Sequence, residues 1–164
     1  MRDRIKPKKG QESVWDYPRP PKLESTSKEL IVELNGQIIA RTNHAYRVLE
    51  TSHPPTYYFP PSDLKLEFFK VRAGQRSFCE WKGSASYWDV QVGERLVPSM
   101  AWSYTNPSAA FAPIKDYLSF YASKADACYV DGELVNAQAG DFYGGWITSD
   151  IVGPFKGGQG TWGW

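Results

Sequence analysis

Apolar and polar positions alternate along most of this chain, and turn signals cut the alternation into strand-length pieces. Leu30-Ile31-Val32-Glu33-Leu34 and Gln37-Ile38-Ile39-Ala40-Arg41 flank Asn35-Gly36. Asn-Gly between two apolar runs is the strongest short signal for a hairpin, because a type I′ turn needs positive φ at both central residues. The pattern returns where Ala127-Cys128-Tyr129-Val130 and Glu133-Leu134-Val135 flank Asp131-Gly132. Residues 87–92 and 95–104 predict a further strand pair around Gly93-Glu94.

Helix has little room. Pro54, Pro55, Pro60 and Pro61 punctuate the middle, with space for one helical turn at Ser62-Asp63-Leu64. Residues 114–125 carry apolar side chains at spacings of three and four, which a helix would use. Their aromatic density and the hairpin that follows favour a strand at 117–121 instead. Residues 1–21 read as an extended arm, and Val14-Trp15-Asp16-Tyr17-Pro18-Arg19-Pro20-Pro21 is expected to be non-helical because proline restrains its predecessor to extended geometry. Trp15 and Tyr17 are expected to pin this arm to the body, with Met1 to Lys9 mobile. The last 25 residues hold eight of the fourteen glycines, interleaved with Trp146, Phe155, Trp162 and Trp164. That mixture predicts an irregular backbone wrapped on the body by tryptophan anchors, since disordered tails are poor in aromatics. The expectation is an all-β protein of two packed antiparallel sheets. A basic, Pro-rich arm (1–29) and a Gly/Trp-rich segment (137–164) flank a core domain (30–136).

Composition sharpens this picture. The 164 residues are one domain's length, and aromatics reach 15%, a share that suits strands. The net charge of +1 conceals an asymmetry: residues 1–28 hold eight basic and four acidic side chains, leaving the remainder at −3. Such an arm could touch polyanions, although a solvated tail explains it as well and nucleic acid is not favoured as a partner. Two cysteines, Cys79 and Cys128, are too few for a disulfide framework, though a single bridge stays open. With no apolar leader after the charged N-terminus and no run long enough to span a bilayer, a reducing cytoplasm is the expected location, with no membrane partner.

Several chemistries are poorly supported. Gly153-Pro154-Phe155-Lys156-Gly157-Gly158-Gln159-Gly160-Thr161 lacks the spacing and the following helix of a phosphate loop. The cysteines stand 49 positions apart and the histidines are only His44 and His53, so neither a metal site nor a cofactor is expected. No serine lies in a nucleophile-elbow pattern.

The densest cluster is Cys79-Glu80-Trp81-Lys82-Gly83-Ser84-Ala85-Ser86-Tyr87-Trp88, followed one strand later by Met100-Ala101-Trp102-Ser103-Tyr104. Small Gly83 and Ala85 beside bulky rings leave a hollow that uniform bulk would fill. Glu50 and Lys82 are unfavourable to bury alone, so at least one should pair or face a cleft. We therefore expect a ligand-binding cleft of Glu50, Tyr58, Cys79, Lys82, Tyr87, Trp88, Trp102 and Tyr104. The aromatics would stack on a planar small molecule, Lys82 would meet an anionic or carbonyl group, and Glu50 would fix Lys82 or accept a ligand hydrogen bond. The bland alternative is an interdigitated aromatic core with Lys82 snorkelling to water.

Cys79…Lys82-Gly83-x-Ala85-x-Tyr87-Trp88 and Ala101-Trp102-x-Tyr104-x-x-Pro107 resemble the signature of the domain of unknown function 427 family. Arg47-Val48-Leu49-Glu50, Tyr57-Tyr58-Phe59-Pro60, Phe120-Tyr121 and Val130-Asp131-Gly132-Glu133 match around them. The resemblance covers roughly residues 30–136 and departs at Phe78-Cys79-Glu80-Trp81, where many members carry a Cys-Pro-Tyr type sequence. It implies a β-tent-like fold, similar at a distance to methionine sulfoxide reductase B and the drug-binding domain of cereblon. Such domains pack two antiparallel sheets, and in some cases hold ligands in an aromatic cage. Many have a four-cysteine zinc site whose ligands are missing here. The resemblance transfers no activity. Three functions are left open: a small-molecule-binding module, an enzyme using Cys79 or Glu50 in the same cleft, and an interaction protein using the basic arm. Whether the chain forms a homodimer is open too.

Overall fold

Turn geometry sets the strand pairing. Asn35 and Gly36 have φ of 48° and 75°, and Asp131 and Gly132 have 47° and 81°, the two successive left-handed conformations of a type I′ turn. The computed structural model describes residues 4–140 and 143–164. Its strands are β1 (Glu12–Ser13), β2 (Lys22–Thr26), β3 (Leu30–Leu34), β4 (Gln37–Thr42), β5 (Ala45–Leu49), β6 (Thr56–Tyr58), β7 (Phe69–Cys79), β8 (Gly83–Val92), β9 (Arg95–Tyr104), β10 (Leu118–Phe120), β11 (Ala127–Val130), β12 (Glu133–Leu134), β13 (Asn136–Ala137), β14 (Trp146–Ile147) and β15 (Ile151–Val152). All three expected hairpins are present: β3–β4, β8–β9 and β11–β12.

The protein is all-β, as its pattern predicts. The strands form three larger antiparallel sheets, ordered β10-β9-β8-β7, β12-β11-β3-β4 and β2-β5-β6, rather than the two expected. An antiparallel ladder β13–β14 and a parallel ladder β1–β15 complete the set among the described residues. The extra sheet arises because β5 turns away from β4 and pairs with β2 and β6. The prolines at 54, 55, 60 and 61 then remove backbone donors on both sides of β6 and hold it to three residues.

Helix is confined, among the described residues, to short 3₁₀ turns. Residues 114–125 resolve into strand β10, with 3₁₀ turns at Ala109–Ile114 and Ala122–Lys124 on either side. The arm holds one correction, a single 3₁₀ turn at Val14–Asp16 where none was expected. Ser13 Oγ accepts from the Trp15 amide at 3.2 Å and caps it. No proline follows Val14, Trp15 or Asp16, so these three are free to turn, whereas Tyr17, before Pro18, is extended with φ −73° and ψ 148°.

The arm is pinned to the body. Trp15 and Tyr17 are buried with Val14, Leu49 and Ile151, Trp15 Nε1 donates to the Pro154 carbonyl at 2.9 Å, and its ring meets Trp164 edge-on at 5.6 Å. Arg47 of β5 reaches Glu12 at 3.1 Å and Glu24 at 2.7 Å. Mobility was expected for residues 1–9, of which 1–3 lie outside the described residues. Among the described residues of the basic segment, Arg4 lies over Trp15, Arg19 binds Glu50 and the Thr51 carbonyl, Lys22 pairs with Glu24, and Lys28 binds Asp150.

The β7–β10 sheet divides the interior. Period-2 alternation puts Trp88, Val90 and Val92 of β8 on one face, against the main core of Leu30, Val32, Leu34, Ile39, Phe59, Phe120 and Trp146. Ala85 and Tyr87 point to the other face, where they join Trp102 and Tyr104 of β9 and Val48 and Tyr58 of the β2-β5-β6 sheet. The second face carries the candidate site.

Candidate functional site

A cavity of about 310 Å³ lies on that second face. Cross-strand pairing builds its wall, because Tyr87 stands opposite Trp102 and Ala85 opposite Tyr104. The small Ala85 is flanked by large rings, which keeps the space open. Gly83 has a different task from the one its size suggested. At φ 105° it turns the chain from β7 into β8, and a Cβ there would come within 3.1 Å of the Asn106 carbonyl oxygen.

Of the eight expected residues, Glu50, Tyr58, Cys79, Lys82, Tyr87, Trp102 and Tyr104 line this cavity. Trp88 does not. Adjacent residues of a strand face opposite ways, so Trp88 enters the main core side and its Nε1 donates to Ser103 Oγ at 2.9 Å. The aromatic rings are held rather than loose. Trp102 Nε1 donates to the Tyr58 hydroxyl at 3.2 Å, Trp102 packs on Tyr121 with centroids 4.6 Å apart, and the Tyr87 and Ser77 hydroxyls share a 2.7 Å hydrogen bond. Burial raises the Tyr104 phenol well above its ordinary range, and neighbouring Tyr58 and Cys79 push the same way.

Lys82 comes from the turn between β7 and β8. Burial works against its ammonium, yet Tyr58, Cys79 and Glu50 hold its pKa above the ordinary lysine value, so it is charged at neutral pH. Its Nζ lies 6.0 Å from the Tyr104 ring centroid and 5.8 Å from that of Phe111. Glu50 was expected to fix Lys82 or to accept a ligand hydrogen bond; it raises the Lys82 pKa through its charge, but its ion-pair contacts within 4.0 Å go elsewhere. Glu50 Oε2 meets Arg19 at 3.5 Å and His53 Nε2 at 3.6 Å, because the turn at 50–53 folds the carboxylate back toward the arm.

The lining also holds residues outside the expected set, among them the polar side chains of His53, Gln138, Tyr143 and Lys156. Gln138 organises them. Its Oε1 accepts from the Gly145 amide at 3.1 Å, and its Nε2 donates to the Lys156 carbonyl at 2.7 Å. These two backbone partners fix which end of the amide is nitrogen. That nitrogen also lies 3.1 Å from His53 Nδ1, and since an amide NH₂ can only donate, Nδ1 must accept. The imidazole proton therefore sits on Nε2, facing Glu50. Burial pushes the His53 pKa down to about 4, helped by the charges of Lys156, Arg19 and Lys82. At neutral pH the 3.6 Å approach is thus a neutral imidazole beside a carboxylate, not an ion pair. Tyr143 stacks at 5.0 Å from His53, and Lys156 Nζ lies 5.8 Å from the Tyr143 centroid while donating to the Trp164 carbonyl at 3.1 Å.

The model of the domain of unknown function 427 family matches residues 22–131. The chain belongs to that family. The match takes in both sheets that wall the cavity and all eight residues of the expected cleft, whereas Gln138, Tyr143 and Lys156 fall beyond it. No curated protein matches the sequence. Both cysteines are free thiols, Cys79 half-buried in the cavity wall and Cys128 buried in the main core. Among the described residues no three His, Cys, Asp or Glu side chains converge as metal ligands, and no helix is long and apolar enough to cross a membrane.

Proposed function

We propose that this domain binds a small planar molecule by stacking it among Tyr58, Tyr87, Trp102 and Tyr104. The carrying observation is a roughly 310 Å³ cavity whose aromatic walls are locked by their own hydrogen bonds and open beside a lysine. Ligand sites typically start at volumes of about 300 Å³ and combine apolar walls with fixed polar groups; here polar groups are as prominent as the rings. The wall stays rigid because its rings are already paired, so little rotamer freedom is lost on binding. The β-tent proteins that the family resembles, some with aromatic cages, favour the same reading by analogy of fold alone. The two free thiols fit a protein of the reducing cytoplasm.

The volume sets the ligand's scale at one or two fused rings. At roughly 0.5 kcal/mol per non-hydrogen atom, a bicyclic ligand of about a dozen such atoms would bind with Kd on the order of 10–100 µM. Saturation-transfer NMR and calorimetry with a panel of one- and two-ring arenes test this. Binding in that range, lost in Trp102→Leu with the fold intact, supports the reading. If no arene binds more tightly than millimolar, the cavity is not a stacking site.

A further inference from the structure

The cavity's rings alone would suit a cation, because aromatic faces attract ammonium groups. Its charges argue the opposite. Lys82 enters from the β7–β8 turn and Lys156 from the C-terminal segment, and Glu50 is the one carboxylate among the described lining residues. That carboxylate is already faced by Arg19 at 3.5 Å. Among the described residues no carboxylate lies within 4.0 Å of Lys82 Nζ, whose neighbours are the rings of Tyr104 and Phe111 and the Cys79 thiol. His53, held neutral first by burial and then by the charges of Lys156, Arg19 and Lys82, adds no negative charge to the cavity.

Resting on the stacking reading above, we infer that the ligand is an anion: a one- or two-ring aromatic carboxylate, its carboxylate at Lys82 and its ring among Tyr58, Trp102 and Tyr104. Lys156 adds a second positive charge to the lining, its ammonium donating to the main-chain oxygen of Trp164. A carboxylate fits better than a phosphate ester for two reasons. The described lining contains no arginine, whose fork is the usual partner of phosphate oxygens. The described helical segments are also single 3₁₀ turns or little more, so no helix N-terminus is there to receive a phosphate. A ligand cation would meet two lysines in a confined, partly dehydrated space, where like charges repel strongly.

Three probes of nearly equal shape separate charge from stacking: 2-naphthoate, 2-naphthamide and 2-naphthylmethylamine. Calorimetry on the full chain should rank them acid, then amide, with no detectable binding of the amine. The acid should exceed the amide by about tenfold or more. Lys82→Met keeps the apolar stem and removes the charge, and should bring acid and amide together without changing the amide's own affinity. Lys156→Met should narrow the gap in part, and thermal melts check that both variants fold. In the wild type, naphthoate should also move the His53 NMR titration upward from about 4, a shift the amide should not produce. An amide that binds as tightly as the acid, or a Lys82→Met variant that keeps the acid's advantage, overturns the anion inference while leaving the stacking site standing. Failure of all three probes to bind overturns both.

Discussion

Replacing Gln138 by Leu tests the part of the site that depends most on long-range geometry. The side chain is buried and makes three hydrogen bonds, to the Gly145 amide at 3.1 Å, the Lys156 carbonyl at 2.7 Å and His53 Nδ1 at 3.1 Å. Leucine matches its bulk and leaves all three partners unsatisfied. An abandoned buried polar group costs about 1–3 kcal/mol. His53 and Lys156 line the cavity and water can reach them there, so the low end applies to those two. The sum is roughly 3 kcal/mol, a large part of a typical domain's 5–15 kcal/mol. Urea melts of wild type and variant measure it directly. The variant also loses the constraint on the His53 tautomer, so a ¹⁵N–¹H spectrum sensitive to ring protonation should show Nδ1–H and Nε2–H forms mixed where the wild type shows Nε2–H. A destabilisation below about 1 kcal/mol with an unchanged tautomer would refute the assigned network.

Further outcomes follow from the same geometry. Gly144→Ala places a Cβ 2.5 Å from the Trp102 ring at φ 74°, so it should destabilise by about 2–4 kcal/mol, measured by chemical melts, and push Trp102 into the cavity, seen as a changed fluorescence maximum. Trp88→Phe loses the bond to Ser103 and should lower stability by about 1 kcal/mol while leaving arene binding in calorimetry unchanged, because the ring is on the other face. His53 is held neutral with a folded pKa of about 4 against an ordinary 6.5. The unfolded chain therefore binds the proton first. Stability is fully present above pH 6.5 and falls as pH drops toward 4, and pH-dependent melts of His53→Gln should lack that share of the slope. Metal analysis of the purified protein should find no stoichiometric zinc, since closely spaced thiols are missing.

The chain announced its hairpins because each carries its own turn chemistry, as Asn35-Gly36 and Asp131-Gly132 show. It hid β7. Phe69–Cys79 is a mostly exposed edge strand whose register shifts between Arg72 and Arg76, so no clean apolar alternation marks it. The cleft was legible where small, aromatic and charged residues crowd one hairpin. The error at Trp88 came from ranking by residue type: strand alternation already separates it from Tyr87, its neighbour in the chain. His53, Gln138 and Lys156 were illegible for another reason. The Gln138–His53 contact spans 85 positions, and nothing local marks a glutamine in an irregular segment as the residue that will fix a distant imidazole.

The short parallel ladder between β1 and β15 bears on how charge is brought to the cavity. It clamps the two end segments together, and the segment so held delivers Lys156 and Tyr143 to a cavity whose walls lie within residues 22–131. Residues 22–131 thus supply the aromatic walls, and the segment beyond them supplies a second cation to the lining. If the anion reading holds, exchanging the terminal segment of this chain would change the charge around the cavity while the packed aromatic walls stayed in place.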